Sequence, residues 1–313
     1  MRLIRQARPV AAADPWLLAA EVSISSASGQ PSFFAKSAKG ILENNSLSPY
    51  SKTELYSALG TTELDNGKIR FARRLFRSAL ESPNENSLAQ VHWADHLIGG
   101  IGPGESGQNP PRSFEANGSV SFYSSRWEEA LDDGIDWLRD QPFSSRPAVF
   151  TSYISSSILE RYPLSQQILK LSLIANPGNP ALINNLAFAL ASDDKVQEAQ
   201  RYLDQINPET TEGLARVTLI ATHGLVQMRL RNFELGRRLY QRAKESASNI
   251  DSAKYRALAS ILLAREEILA ATSEAEQALK TAQHDAKGIA EPDVVAILAR
   301  VEMLSDQASR ASR

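Results

Sequence analysis

The sequence predicts an all-α protein, an α-solenoid superhelix of stacked antiparallel helix pairs with one extra helix and a Gly/Pro loop inserted. Three observations predict it. Small and aromatic residues recur in one frame of about 34 residues along most of the chain. The segments between turns carry apolar residues at helical rather than alternating spacing. One stretch, GGIGPGESGQNPP at 99–111, has no helical period at all and interrupts the frame.

The frame is clearest in TELYSALGTTELDNGKIRFARRLFRSALESPNEN. With Thr53 as the first residue, Tyr56 is fourth, Leu59 and Gly60 are seventh and eighth, Ala72 is twentieth, Phe76 is twenty-fourth and Ala79 is twenty-seventh, with Pro83 beyond. Counting from Pro111 places Phe114 fourth, Gly118 eighth and Ala130 twentieth; from Pro180, Ile183 fourth, Ala187 eighth and Ala199 twentieth; from Val217, Gly224 eighth, Gly236 twentieth, Tyr240 twenty-fourth and Ala243 twenty-seventh. Each unit then reads as a helical hairpin. Its eighth residue is expected to face the twentieth where the backbones come closest, so only Gly, Ala or Ser fits, and Ala187 against Ala199 is the example. Phe76, Leu203 and Tyr240 fill the wedge to the next hairpin, burying apolar surface worth about 25 cal/mol per Å². One unit cannot cover its own apolar face, so units stack. The expected pairs are 53–86, 111–144, 146–178, 180–208, 217–248 and 252–285.

The pattern of an aromatic, a Leu-Gly pair, then Ala, aromatic, Ala and a late proline resembles the tetratricopeptide repeat family. The resemblance implies a superhelix whose first helices line a concave groove that binds a partner protein. In that family the fifth, sixth and ninth positions of a first helix face the groove. Here they are Asn184, Asn185 and Phe188, with Tyr153 beside them from the preceding unit; the two asparagines serve equally well to tie neighbouring helices together.

Two units are degenerate. In VFTSYISSSILERYPLSQQILKLSLIANP the small residue is Ser152 only if the frame shifts by one, since the unshifted frame puts Tyr153 at the crossing. Pro163 suits the first turn of its second helix. In the last unit Ser273 and Glu276 form a capping-box pattern that starts a new helix. EPDVVAILARVEMLSDQ comes next as a closing helix. At the other end, PWLLAAEVSIS and PSFFAKSAKGILENN read as a helix pair joined by ASGQ, and RLIRQARP as the tail of a preceding unit. The chain thus divides into a degenerate N-terminal repeat region, 1–52; a repeat with an extra helix and loop, 53–110; repeats over 111–285; and a capping helix and tail, 286–313.

Several motifs are decoys. GPGESG, Gly102 to Gly107, matches a dinucleotide fingerprint but comes after a helix, and GGIGPGES has Glu105 where a phosphate loop needs lysine. SFEANGSVSF could turn a β-hairpin at Asn117-Gly118, but Gly118 falls on the small position of the frame, which favours helix. His92 and His96 have metal-ligand spacing with nothing to complete a site, and His223 reads as a core or groove residue. No nucleophile–base arrangement occurs, so the expectation is no enzyme, no catalytic residue, no metal and no cofactor.

The composition narrows the partners. Lys plus Arg number 34 against 36 Asp plus Glu, a net charge of −2 that offers no field for nucleic acid or anionic lipid. The basic runs KIRFARRLFR and RLRNFELGRRLYQRAK fall on second helices and read as solvated faces and ion pairs between neighbours. No cysteine is present, which suits a reducing compartment. The N-terminal apolar run is broken by Asp14 and Pro15, and nothing approaches a membrane span, so a cytoplasmic protein is expected. The leading expectation is a scaffold or adaptor binding a protein or peptide partner; the other is a regulatory or assembly module of a larger bacterial effector, nuclease-associated, with its catalytic domain upstream.

Overall fold

Runs with helical periodicity become helices in the computed structural model, which describes residues 14–29, 32, 35–44, 46–102 and 113–311. Among the described residues there is no strand, and no helix is long and apolar enough to cross a membrane. The chain divides into two compact units, 1–121 and 122–313.

The first unit contains α1 (Pro15–Ala27), α2 (Ala35–Leu42), α3 (Pro49–Asp65), α4 (Ile69–Ala79) and α5 (Glu85–Ile98), and most of α6 (Phe114–Tyr123). Asp14 starts α1 by accepting from Trp16 N at 2.8 Å, with Pro15 in the first turn. Leu18, Val22, Leu55, Leu59 and Leu75 form one core; Phe76, Leu88, Val91 and Ala94 form another. The extra helix α5 carries a capping box of Asn84 with Ser87. Residues 114–123 are helical, so Asn117-Gly118 turns no hairpin. The N-terminal RLIRQARP and loop residues 103–112, including most of the fingerprint decoy, lie outside the described residues.

The start of that loop is tied down by backbone hydrogen bonds. Arg73 donates to the carbonyls of Ile98 and, at 2.7 Å, Gly99; Arg77 donates to those of Gly100 and, at 3.3 Å, Ile101. Asp95 accepts from Ile101 N at 2.7 Å, and Ile101 is buried. The glycines lack side chains to pack, but their carbonyls satisfy two guanidinium groups at the C-terminus of α5, where positive charge is favoured. Residues 98–102 are therefore an anchored strap and not the contact-free loop that Gly/Pro content suggests.

The second unit contains α7 (Trp127–Asp140), α8 (Ser145–Tyr153) continued by a π-helical turn (Ile154–Ile158), α9 (Tyr162–Ala175), α10 (Pro180–Ser192), α11 (Val196–Leu203), α12 (Gly213–Arg229), α13 (Phe233–Asn249), α14 (Ala253–Leu269), α15 (Ala275–Ala286) and α16 (Pro292–Ala311). Each first helix packs on its own second helix and on the next first helix: α8 on α10, α10 on α12, α12 on α14, α14 on α16. That is the stacking of a solenoid.

The register within a hairpin differs from expectation by one helical turn. A Cβ built on Gly224, eighth in its unit, would meet the ring of Tyr240, twenty-fourth, at 3.0 Å, and one on Gly60 would meet Phe76 at 3.0 Å. A Cβ on Gly236, twentieth, would meet Met228, twelfth, at 2.6 Å from sulfur and 3.2 Å from the backbone nitrogen. So the eighth residue faces the twenty-fourth and the twelfth faces the twentieth, as a constant antiparallel register demands. By the same register Ala187 belongs opposite Leu203, and Ala199 opposite Ala191; all four are fully buried. The small eighth residue makes room for a large side chain, and the closest backbone approach lies a turn further along.

Turns between paired helices repeat too. The fifteenth residue has positive φ in five units: Gly67 at 74°, Ser125 at 57°, Glu160 at 54°, Asp194 at 58° and Arg231 at 62°. The π turn resolves the degenerate unit. Ser152 is eighth if counting starts at Ser145, whereas Glu160, Ser165 and Leu169 take positions fifteen, twenty and twenty-four only if it starts at Arg146. A π turn inserts one residue into a helix, and that residue is the slip. At α15 the chain does start a new helix, but Glu274 occupies the cap without a side-chain hydrogen bond and Glu276 pairs with Lys280 at 2.6 Å, so the Ser273–Glu276 capping box is not formed.

Because Gly236 has backbone as well as a flexible thioether within reach, Gly236→Leu should overpack the α12–α13 hairpin and lower stability by about 1 to 3 kcal/mol. Chemical denaturation measures this; wild-type stability in the variant would show the register to be misplaced.

Candidate binding cavity

The first helices of the second unit converge on a cavity of about 90 Å³. Tyr153, Ser156 and Ser157 reach it from α8 and its π turn; Asn184, Asn185 and Phe188 from α10; Val217, Thr218, Ala221 and Thr222 from α12; Tyr255, Leu258, Ala259 and Leu262 from α14. Tyr240 of α13 and Ile297 of α16 complete the wall. All four residues that the sequence assigns to a partner groove line it. No charged side chain does.

The helix spacing explains the convergence. Asn184, Asn185 and Phe188 project from one stripe of α10, at successive and four-residue intervals. Asn179 fixes where that helix begins, accepting from Ala181 N at 3.1 Å and Leu182 N at 3.2 Å ahead of Pro180. Tyr153, the last residue before the π turn, is ninth in the frame that starts at Ser145, the position Phe188 holds in its own unit, and Ser156 and Ser157 of the turn reach the same space.

The two asparagines do different work. Asn185 Nδ2 donates to Ser152 Oγ at 3.2 Å, tying α10 to α8. Asn184 is 8% exposed, and its Oδ1 is buried without a hydrogen-bond partner. An unpaired buried acceptor of this kind costs about 1 to 3 kcal/mol.

One end of the cavity is closed by α16, which returns to pack on the π turn. The joint is Asp293, fully buried in the first turn of α16: its Oδ2 accepts from Tyr153 Oη at 2.7 Å and from Lys254 Nζ at 2.7 Å. Burial, reinforced by the Asp293 charge, pushes the Tyr153 hydroxyl well above its ordinary range. The same two causes raise Tyr255 and Tyr123. Nearby, Arg265 of α14 donates to Tyr162 Oη at 2.6 Å and lies 3.3 Å from Glu160, with Arg300 of α16 at 3.8 Å from the same carboxylate. Burial lifts Tyr162 to about 12 although the Arg265 charge opposes it. Nothing local in the sequence marks Asp293 as a partner of Tyr153, because a carboxylate in a first helical turn is ordinary dipole chemistry.

The remaining candidates stay apart. His92 is half-buried on α5, and burial lowers its imidazole. His223 is half-buried on α12, off the cavity, with Nε2 unpartnered and its imidazole lowered by burial against the weaker opposing pull of Asp204. No group of three or more metal-ligating side chains occurs among the described residues. The second basic run pairs across helices as expected: Arg237 grips Glu267 at 2.6 and 2.9 Å, and Arg229 holds Glu266 and, at 2.7 Å, Asp194; Arg73 and Arg77 of the first run bond to backbone carbonyls instead.

No protein-family model and no curated protein sequence matches the chain. Among solved structures, a monomeric mutant of IFIT1 with Gppp-AAAA is similar over 96% of this chain and 68% of its own, at 13% identity and a TM-score of 0.43. A second monomeric IFIT1 mutant, with m7Gppp-AAAA, covers the same shares at 13% identity and a TM-score of 0.44.

Tyr153→Phe removes one of two donors from a buried carboxylate, so it should cost about 1.5 to 3 kcal/mol and speed amide exchange in the first turns of α16. Unaltered exchange there would show the contact to be dispensable. For His223 and His92 the folded-state imidazole lies below the ordinary 6.5, so the unfolded chain takes up protons first as pH falls. Stability is full above that value and drains away below it; denaturation of His223→Leu across this window should show a shallower fall than the wild type.

Proposed function

We propose that the second unit is a protein-interaction module of the tetratricopeptide kind, binding an internal segment of a partner protein on its concave side and performing no chemistry of its own. The observation that carries the reading is the gathering of Tyr153, Asn184, Asn185 and Phe188 at one cavity on the first-helix side. Tyr153, Asn185 and Phe188 are half-buried, so they reach both the cavity and solvent and form a rim. The uncharged wall gives nothing to hold a C-terminal carboxylate or a phosphate, which supports an internal protein segment over a chain end or nucleic acid. At about 90 Å³ the cavity takes part of one side chain and not a helix, so the partner lies over the rim and inserts an anchor.

The test uses the partner captured by the purified chain. Phe188→Ala and the double change Asn184→Ala, Asn185→Ala should each weaken binding by about 1 to 3 kcal/mol in titration calorimetry. The control is Arg238→Glu on the exposed face of α13. Arg237 is unsuitable, since reversing it would strand the buried Glu267. Loss of binding in Arg238→Glu with normal binding in the rim variants would put the interface on the outer surface.

A further inference from the structure

The last helix covers part of the surface on which a partner would lie. Among its described residues, α16 buries Asp293, Val294, Ile297 and Val301, which share one face of the helix. By contrast α10, a first helix inside the stack, buries nine of its thirteen residues. With that one face α16 reaches both α14 and the π turn of α8, which belong to hairpins that are not neighbours in the stack. A helix that only capped the last repeat would need α14 and α15 alone.

The seat beneath α16 has the chemistry of a ligand site. Tyr153 Oη and Lys254 Nζ both donate to Asp293 Oδ2 at 2.7 Å, so a carboxylate is gripped from two first helices at once. Next to it Ile297 forms part of the cavity wall. Tyr153 therefore serves both surfaces, with its ring on the partner rim and its hydroxyl bonded to α16. The fit is also imperfect. Asp293 Oδ1 is buried without a partner, a cost that a ligand pairing both oxygens avoids. A cleft of about 300 Å³ separates Arg265 and Leu269 of α14 from Arg300, Met303 and Gln307 of α16, so the later turns of α16 forgo close packing on that side.

We infer that the face covered by α16 is a binding site for an amphipathic helix that opens with an acidic residue and carries apolar residues one, four and eight places on, and that α16 is a tethered copy of this ligand, held there until a partner helix replaces it. Replacement by a partner rests on the concave interaction reading given above; exchange of α16 itself does not.

A protease site inserted between Lys287 and Gly288, both exposed, allows the folded full chain to be cut with α16 still in place. A fluorescent peptide of residues 289–311 is titrated into intact and cut protein and followed by anisotropy. A tethered helix competes at an effective concentration on the order of millimolar, so the peptide should bind cut protein at least about tenfold more tightly than intact protein. Substitutions are made in the peptide, which leaves the receptor's folding untouched. Asp293→Ala and Ile297→Ala peptides should each bind at least about tenfold more weakly than the parent, whereas Val295→Ala, on the exposed side, should bind at least as well as the parent. Failure of the peptide to enter cut protein, loss of the helical circular dichroism signal on cutting, or equal binding of all four peptides overturns the inference. A partner captured by the chain should be expelled from cut protein by the parent peptide. Peptide exchange that leaves the partner bound overturns both the replacement by a partner and the concave reading, while failure of exchange overturns the inference alone.

Discussion

The closest approach of two helices inside each hairpin sets everything built upon it. Gly236 rests on Met228, so α12 and α13 can slide neither along nor around each other without a clash. That contact fixes which residue lies opposite which, and the register in turn brings Tyr240 under Gly224. Tyr240 passes through the hairpin to form part of the cavity wall. A small residue at one crossing thus determines, one helical turn away, the shape of the space that a ligand would meet.

Much of this was legible from residue types alone because the relevant constraints are local. Helical period, the extra helix, the helix at 114–123 and the stripe of Asn184, Asn185 and Phe188 follow from spacings of three, four or thirty-four residues. Spacing alone misplaces the crossing partner by one turn, because small residues mark a close approach without naming what comes close. The positive-φ turn residues are hidden for a related reason: only Gly67 is a glycine, while Ser125, Glu160, Asp194 and Arg231 carry no signal for that conformation. The strap at 98–102 escapes a reading by composition because its contacts are made by backbone carbonyls, which composition does not reveal.

What lay furthest from sequence is the coupling of Tyr153 to Asp293, across 140 residues. The slipped frame around Ser152 and Tyr153 does show in the sequence, as a unit that fits only when shifted. Its cause, a π turn, is visible only once Ser152 is seen packed and bonded to Asn185 while Tyr153 faces the cavity. The irregular repeat is thus one of the places where the solenoid makes polar connections.

The return of α16 to the π turn also alters how the second unit must fold. In an open stack each repeat touches only its neighbours, so ends fray and stability grows by increments. Here the last helix is bonded to the hairpin of α8 and α9 through Asp293 and through the Arg265, Arg300 and Glu160 group. α16 cannot loosen without breaking contacts at the π turn of α8. The loop that joins them must close before those contacts form, which raises contact order and slows folding relative to an open array of the same length. Contacts between elements far apart in sequence couple the first helices to the last, which favours cooperative melting over stepwise fraying.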